Sequence, residues 1–218
     1  MAALLLLLGA CAAPADRGTE LVYDPNEGMN RAIHGINKQI DRGVLRPVAI
    51  AYDAATPTLF RHVFSNVLSH VQLPWQMLNH AFQGEGKRAA SALGRFTMNT
   101  VLGAGGFLDP ATEFGMPNRP TDFGITLGRW GVGEGFYQEV PLLGPSTLRD
   151  TLGRLVEFPF RTLAVLEARA RHFELIDDTL YGSDDSYITA RALYMQRRRF
   201  AVSGETERVE ALNDIFAE

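Results

Sequence analysis

Cysteine occurs once in the 218 residues, at Cys11, directly behind the run Leu4 to Leu8 and the small residues Gly9 and Ala10. One thiol permits no internal disulfide, so the fold must be held by packing, hydrogen bonds and ion pairs alone. The setting of that thiol narrows the choice further. A short apolar run, small residues and then cysteine is the pattern in which a diacylglyceryl group alkylates the thiol. The leader is then cut before the cysteine and the new amino terminus is acylated. The run is far too short to cross a bilayer, which takes about 20 apolar residues, but it fits the apolar core of a secretory leader. No Lys or Arg precedes it, so the recorded start is expected to lie a few codons late, with the basic segment of the leader missing. On this reading residues 1–10 are leader, 11–23 a tether and 24–200 the folded domain. Lipid, not a helix, holds the chain to a membrane, at about 0.8 kcal/mol per buried methylene. The alternative for the same residues is a free cysteine in an apolar N-terminus.

Composition excludes several function classes. The formal net charge is −4, which argues against a general nucleic-acid binder. Nineteen of the 21 basic residues are arginine, with Lys38 and Lys87 the exceptions. Arginine suits phosphate headgroups because its planar fork bonds two oxygens at once, although a GC-rich genome gives the same bias. The histidines, at 34, 62, 70, 80 and 172, show no metal-ligand spacing, and no metal or cofactor is expected. Gly-x-Ser-x-Gly is absent, and Ser146, between Pro145 and Thr147, reads as a capping residue. No catalytic residue is assigned.

Helix signals dominate the chain. Asp24-Pro25-Asn26-Glu27 reads as an N-cap, a proline at the first helical position and a reciprocal acidic residue. Met29, Ile33, Ile36 and Ile40 follow on one face, and Gly43 is expected to stop that helix. Thr56-Pro57 opens a second, with Leu59, Phe60, Phe64 and Leu68 opposite Arg61, His62, Ser65 and Asn66. Pro74 is expected to open a third, ending near Gly84. A fourth, Gly86 to Leu102, carries a polar stripe of Arg88, Ser91, Arg95 and Asn99. Such a stripe is either a solvated face or the wall of a water-lined channel. Leu163, Leu166, Ala170, Phe173, Ile176 and Leu180 predict one long amphipathic helix, and Asp185 to Arg199 the last ordered one. Residues 201–218, acidic and lightly apolar, are expected to form a mobile tail.

The middle differs. Glycines at 124, 128, 131, 133, 135 and 144 form no phosphate loop, for no Gly-Lys-Ser/Thr follows. Gly124 and Gly128 suit close helix approach, and the alternate glycines from 131 to 135 suit a tight irregular return. With no alternating strand pattern and no repeat, the expected class is all-α: a ring-like bundle of amphipathic helices with a Gly-rich irregular central segment.

Several ordered blocks resemble the MlaA (VacJ) family of outer-membrane lipoproteins. They are Asp24 to Arg31, Arg46-Pro47-Val48, Gly94 to Ala111, Asp122 to Gly135 and Pro141 to Asp150. Met29, Ile125 and Phe136 depart from the residues usual in that family. The resemblance implies a helical ring in the inner leaflet of the outer membrane, on its periplasmic face. Its amphipathic channel would let phospholipids misplaced in the outer leaflet leave the bilayer. A soluble periplasmic lipid carrier would receive them, trimeric porins would be partners, and the protein would not be an enzyme. Asn30, Arg31, Asn37, Arg88, Arg95 and Asn99 are then candidates for the channel side, and Gly128, Gly131 and Gly133 for close packing or a hinge. Each also has a purely structural reading. The rivals are a membrane-bound lipid hydrolase and a porin-associated scaffold that moves nothing.

If Cys11 is the lipid acceptor, Cys11→Ala abolishes fatty-acid labelling and releases the chain from the membrane fraction. Unchanged attachment would show that acylation is dispensable.

Overall fold

The computed structural model describes residues 22–161 and 164–204, and their side chains apart from those of 156–167. Cys11 and the tail after Gly204 lie outside the described residues. The chain is mostly helical, as expected. Helix α1, Glu27–Ile40, does not stop at Gly43; one π-helical turn, Asp41–Leu45, carries it into α2, Arg46–Ala55. Pro47 has no N–H to give the carbonyl four residues back, and the wider turn spans that gap. Helix α3, Thr58–Phe82, likewise runs straight through Pro74 instead of restarting there. Buried residues on both sides of the proline, Leu68 and Leu73 before it and Gln76 and Asn79 after it, pack the helix along α4, Gly86–Val101. Continuous packing outweighs one missing hydrogen bond. Gly84, at φ +78°, turns the chain between the two.

Asp109 caps the short α5, Pro110–Glu113, and Asp122 caps α6, Phe123–Arg129, each accepting from a first-turn N–H. The glycine-rich return follows, with Gly131 at φ +89° and Gly135 at φ +72°. It leads into a feature the sequence pattern does not announce, an antiparallel hairpin of β1, Tyr137–Val140, and β2, Gly144–Thr147, in register Tyr137 to Thr147. Gly-Pro-Ser-Thr has no strand alternation. Side chains of α1 supply what local pattern does not: Asn30 accepts from the Glu139 N–H, and Asn37 spans the turn by donating to the Val140 carbonyl and accepting from the Leu142 N–H.

Helix α7, Leu148–Arg161, begins where Thr147 accepts from the Asp150 N–H. The expected single helix over 163–180 is broken at His172 into α8, Ala164–Arg171, and α9, Phe173–Asp177, with a π-helical turn at Asp178–Gly182. Arg169 bonds both Asp41 and Asp177. Eight residues of straight helix span about 12 Å, so the break brings Asp177 within reach. Helix α10, Ser186–Ser203, is capped by Asp185 and closed by Gly204 at φ +73°. The opening signal at Asp24 is different from the expected cap: α1 starts at Glu27, and Asp24 bonds Asn30, Tyr187 and Arg191 instead.

The interior is polar. Among the described residues, seventeen polar or charged side chains are buried against ten apolar ones. On α1 the apolar face points out, with Met29 67 % and Ile36 52 % exposed, while Asn30 and His34 are buried. Leu59, Phe60 and Phe64 of α3, and Leu93 and Val101 of α4, are exposed as well. No helix among the described residues is long and apolar enough to cross a membrane.

Helices α6 and α7 meet through glycine. A Cβ on Gly153 would lie 2.6 Å from the Gly124 nitrogen, a backbone atom that cannot swing aside. Gly153→Val is therefore expected to destabilise the fold by about 1–3 kcal/mol, measured by denaturant or thermal unfolding. Wild-type stability would refute this close approach.

Candidate functional site

Two adjoining open cavities lie among α1, α3, the hairpin and the elements from α6 to α10. The larger, about 810 Å³, has an apolar wall of Leu142, Leu175, Ile176, Leu180, Leu193 and Phe200, faced by Asn37, Lys38 and Arg197. The second, about 510 Å³, is lined by Gln72, Trp75, Gln76, Asp122, Arg154 and Arg198 among others. Leu143, Pro145, Ala168, Tyr194 and Arg197 border both, so the two spaces adjoin along α10. Arg197 is exposed, and among the described residues no partner holds its guanidinium. It stands as a free cation where the cavities meet.

Three ion-pair clusters hold the walls. Arg198 clamps two carboxylates, donating to Asp122 at 2.6 and 3.0 Å and to Asp150 at 2.9 and 2.8 Å. Tyr194 and Arg149 also donate to Asp150. The clamp joins α10 to the cap of α6 and the first turn of α7. Arg169 joins α8 to Asp41 and Asp177, and Arg46 adds a two-pronged bond to Asp177. The third cluster links α1, β1 and α10: His34 meets Glu139 at 3.0 Å and Ser186 at 3.0 Å, and Tyr137 donates to Glu139 at 2.6 Å.

The nine candidates divide among these parts. Asn37 alone lines the large cavity. Asn30 is the buried clasp between α1 and β1, and Arg31 sits outside, bonded to Glu27 and Asp185 over the Tyr187 ring. Arg95 is buried and two-pronged on Asp109, which also accepts from Asn99; Asn99 in turn accepts from the Ala111 N–H. Those two side chains pin the loop from Gly103 to Asp109 against α4. Arg88 pairs with Glu85 at 3.6 Å. Gly128 is packed against Val202 and Arg149, whereas Gly131 has open space around it and Gly133 is half-buried. The residue sequence reasoning missed is Arg197. Its signal was the run Arg197-Arg198-Arg199: helical spacing of about 100° per residue sends one guanidinium to the cavity, one to Asp122 and Asp150, and one to Glu134.

No group of three or more potential ligands that would hold a metal occurs among the described residues. The profile of the MlaA lipoprotein family matches residues 22–201. The chain belongs to the MlaA lipoprotein family. It is 34 % identical over 220 residues to the intermembrane phospholipid transport system lipoprotein MlaA of Escherichia coli K12, covering 91 % of this chain and 85 % of that one. Similarity to the Haemophilus influenzae protein of the same name is 29 %, over 93 % and 90 % of the two chains. A solved structure from work on the structural basis for maintenance of bacterial outer membrane lipid asymmetry superposes with a TM-score of 0.72. It is 33 % identical and covers 82 % of this chain and 98 % of the other. This chain's membership rests on nearly the whole fold, cavity walls included.

The clusters set a pH dependence on the family fold. Burial by itself would raise the Asp150 carboxyl, but Arg198, Arg149 and the Tyr194 hydroxyl outweigh it and hold the group below the usual carboxylate range. Asp177 is held down chiefly by the hydrogen bonds from Arg46. Asp109 is lowered too: Thr112, Asn99 and Arg95 together overcome its burial. A carboxyl depressed on folding contributes stability that is present above its unfolded value, about 3.9, and lost as pH falls through the folded value. Acid unfolding followed by circular dichroism is expected to begin below about pH 4. Asp150→Asn should flatten that acid limb and lower stability at pH 7 by about 3–5 kcal/mol, because it leaves Arg198 and Arg149 without their shared charge. An unchanged acid limb would remove Asp150 from this account.

Proposed function

We propose that this chain is a lipid-anchored, non-enzymatic lipoprotein at the periplasmic face of the outer membrane. It lets misplaced phospholipids leave the outer leaflet through its paired cavities and passes them to a soluble periplasmic carrier. The observation that carries the reading is the combination of an apolar exterior with an interior space that is apolar on one wall and cationic on the other. A phospholipid needs both surfaces along its path: acyl chains lose nothing by passing from bilayer to the Leu175–Phe200 wall, while the phosphate loses hydration unless a donor replaces water. Arg197 offers that donor at the junction, as a planar fork able to bond two phosphate oxygens. Asn37 and Lys38 extend the polar wall, and Asn30 holds β1 beside it. Gly131, with open space around it, is the proposed hinge of the return beside the hairpin, with Gly133 two positions on. The names borne by the family relatives, and the lipid-asymmetry context of the solved structure, support the same reading. A passive path has no direction of its own; a carrier that removes lipid supplies it. Trimeric porins, which share the outer membrane, are the proposed partners of the apolar exterior.

The test is reconstitution of the acylated protein in vesicles of labelled phospholipid, with delipidated carrier outside. Intact phospholipid should reach the carrier only when the protein is present, and Arg197→Glu should slow transfer about tenfold, the factor that 1.4 kcal/mol gives. Lysophospholipid or free fatty acid would put the hydrolase reading first, and transfer indifferent to Arg197→Glu would remove that residue from the path. Gly131→Val tests the hinge separately: the side chain has open space but the backbone at φ +89° disfavours a β-branched residue. Slowed transfer in a folded protein is expected, and an unimpaired rate would refute the hinge.

A further inference from the structure

The charges around the paired cavities are not balanced. Among the described residues, the carboxylates that border the two spaces are Asp41, Glu139 and Asp122, and all three are buried and engaged. Asp41 accepts from Arg169 at 2.7 and 3.1 Å and from the Tyr181 hydroxyl at 2.9 Å. Glu139 meets His34 at 3.0 Å and accepts from the Tyr137 hydroxyl at 2.6 Å. Both oxygens of Asp122 accept from Arg198, at 2.6 and 3.0 Å. A cation carried in by a ligand therefore meets no exposed carboxylate among the described residues.

The cations are placed differently. Lys38 of α1 lines the large cavity; its ammonium donates to the Ser186 hydroxyl at 3.3 Å and lies over the Tyr181 ring at 5.4 Å. An ammonium has three donors, so a single hydroxyl leaves it able to bond a ligand. Arg197 of α10 is exposed where the cavities meet. Neither is paired with a carboxylate among the described residues. At the edge of the large cavity Arg42, also exposed, lies over the same Tyr181 ring at 5.1 Å. Positive charge thus runs from Arg42 at the surface, past Lys38, to the junction at Arg197.

This asymmetry bears on the headgroup. Every phospholipid brings a phosphate, which a guanidinium and an ammonium hold by charge-assisted hydrogen bonds. A zwitterionic headgroup also brings an ammonium, tethered beside that phosphate. Here it meets like charge and no exposed carboxylate, so it loses hydration without gaining a partner. A headgroup that ends in a neutral polyol avoids that cost, because its hydroxyls are satisfied by water or by the exposed Gln196 on the cavity wall.

We propose that the paired cavities select phospholipids of net negative charge over zwitterionic ones, with Lys38 and Arg197 as the specificity-determining residues. The inference rests on the reading of the cavities as a lipid path and adds which headgroup that path favours.

The test measures binding, so that the preference of a carrier does not enter. The full acylated protein, in neutral detergent and stripped of lipid, is titrated with phosphatidylglycerol and with phosphatidylethanolamine of identical short chains. Bound molecules are counted by intact-complex mass spectrometry. Wild type is expected to bind the glycerol lipid about tenfold more tightly at low salt, the factor that 1.4 kcal/mol gives, and the ratio should fall as added salt screens the cations. Lys38→Gln and Arg197→Gln should each lower the ratio about threefold by weakening the anionic lipid. Gln196→Glu, which sets an exposed carboxylate on the same wall, should narrow the ratio by strengthening the ethanolamine lipid, a gain that misfolding cannot produce. Equal affinities in wild type would overturn the proposal and leave the lipid path standing. A preference that survives in all three variants would overturn it too. Binding of neither lipid would overturn the lipid path, and this selection with it.

Discussion

The bond set on which this structure depends most is the clamp of Arg198 on Asp122 and Asp150. One guanidinium, half-buried between two carboxylates, joins the last helix to the cap of α6 and to the start of α7, elements separated by 76 and 48 positions in the chain. A chain with one cysteine has no covalent way to close such a circuit. A cavity-centred fold has no large apolar core to do it by burial either, and the ion pair takes that place. Its geometry is favourable because every oxygen of both carboxylates receives a donor, and Tyr194 and Arg149 complete the set. Buried charge is costly unless it is fully paired and hydrogen-bonded, and here it is.

The same logic recurs around the cavities. Arg169 with Asp41 and His34 with Glu139 join elements 128 and 105 positions apart, while Arg169 with Asp177 and Arg95 with Asp109 tie neighbouring ones. Where a water-soluble domain would place leucines, this one places arginine, aspartate and asparagine; where it would place charges, it shows Met29, Ile36, Phe60 and Val101. The proposed membrane location accounts for the inversion: lipid around the exposed face would remove the hydrophobic penalty on leucine and phenylalanine, and leave helix association to hydrogen bonds, ion pairs and close small-residue packing such as that of Gly124 on Gly153.

The clusters rigidify the walls through Arg46, Arg149, Arg169 and Arg198, while Arg197 is a cation with no structural task among the described residues. Beside it the hairpin turn at Leu142 and Leu143 borders the large cavity and is held to α1 by Asn37. The glycine-rich return preceding the hairpin has open space around Gly131, and is held on either side by the Val132 N–H on the Leu127 carbonyl, the Arg149 N–H on the Glu134 carbonyl and Arg199 on the Glu134 carboxylate.

The sequence by itself determined the helical content, the helix openings near Thr56-Pro57, Gly86 and Asp185, and the ordered blocks that carry family membership. These are local quantities: a cap depends on four or five residues, and a block can be read without knowing its neighbours. The continuous passage through Gly43 and Pro74 and the break at His172 were decided by tertiary contacts, because packing along α4 and the reach of Arg169 to Asp177 outweigh local propensity. The hairpin was equally invisible, since its register is fixed by Asn30 and Asn37 from another part of the chain. Deepest of all, the periodicity of α1 and α4 recorded two faces but not which one lies inside. A helix carries the same pattern whether its apolar side meets a core or a bilayer. Only the closed circuit of buried ion pairs, with space left at its centre, decided that Asn30, Arg95 and Asn99 turn inward as structure while Arg197 faces the cavity.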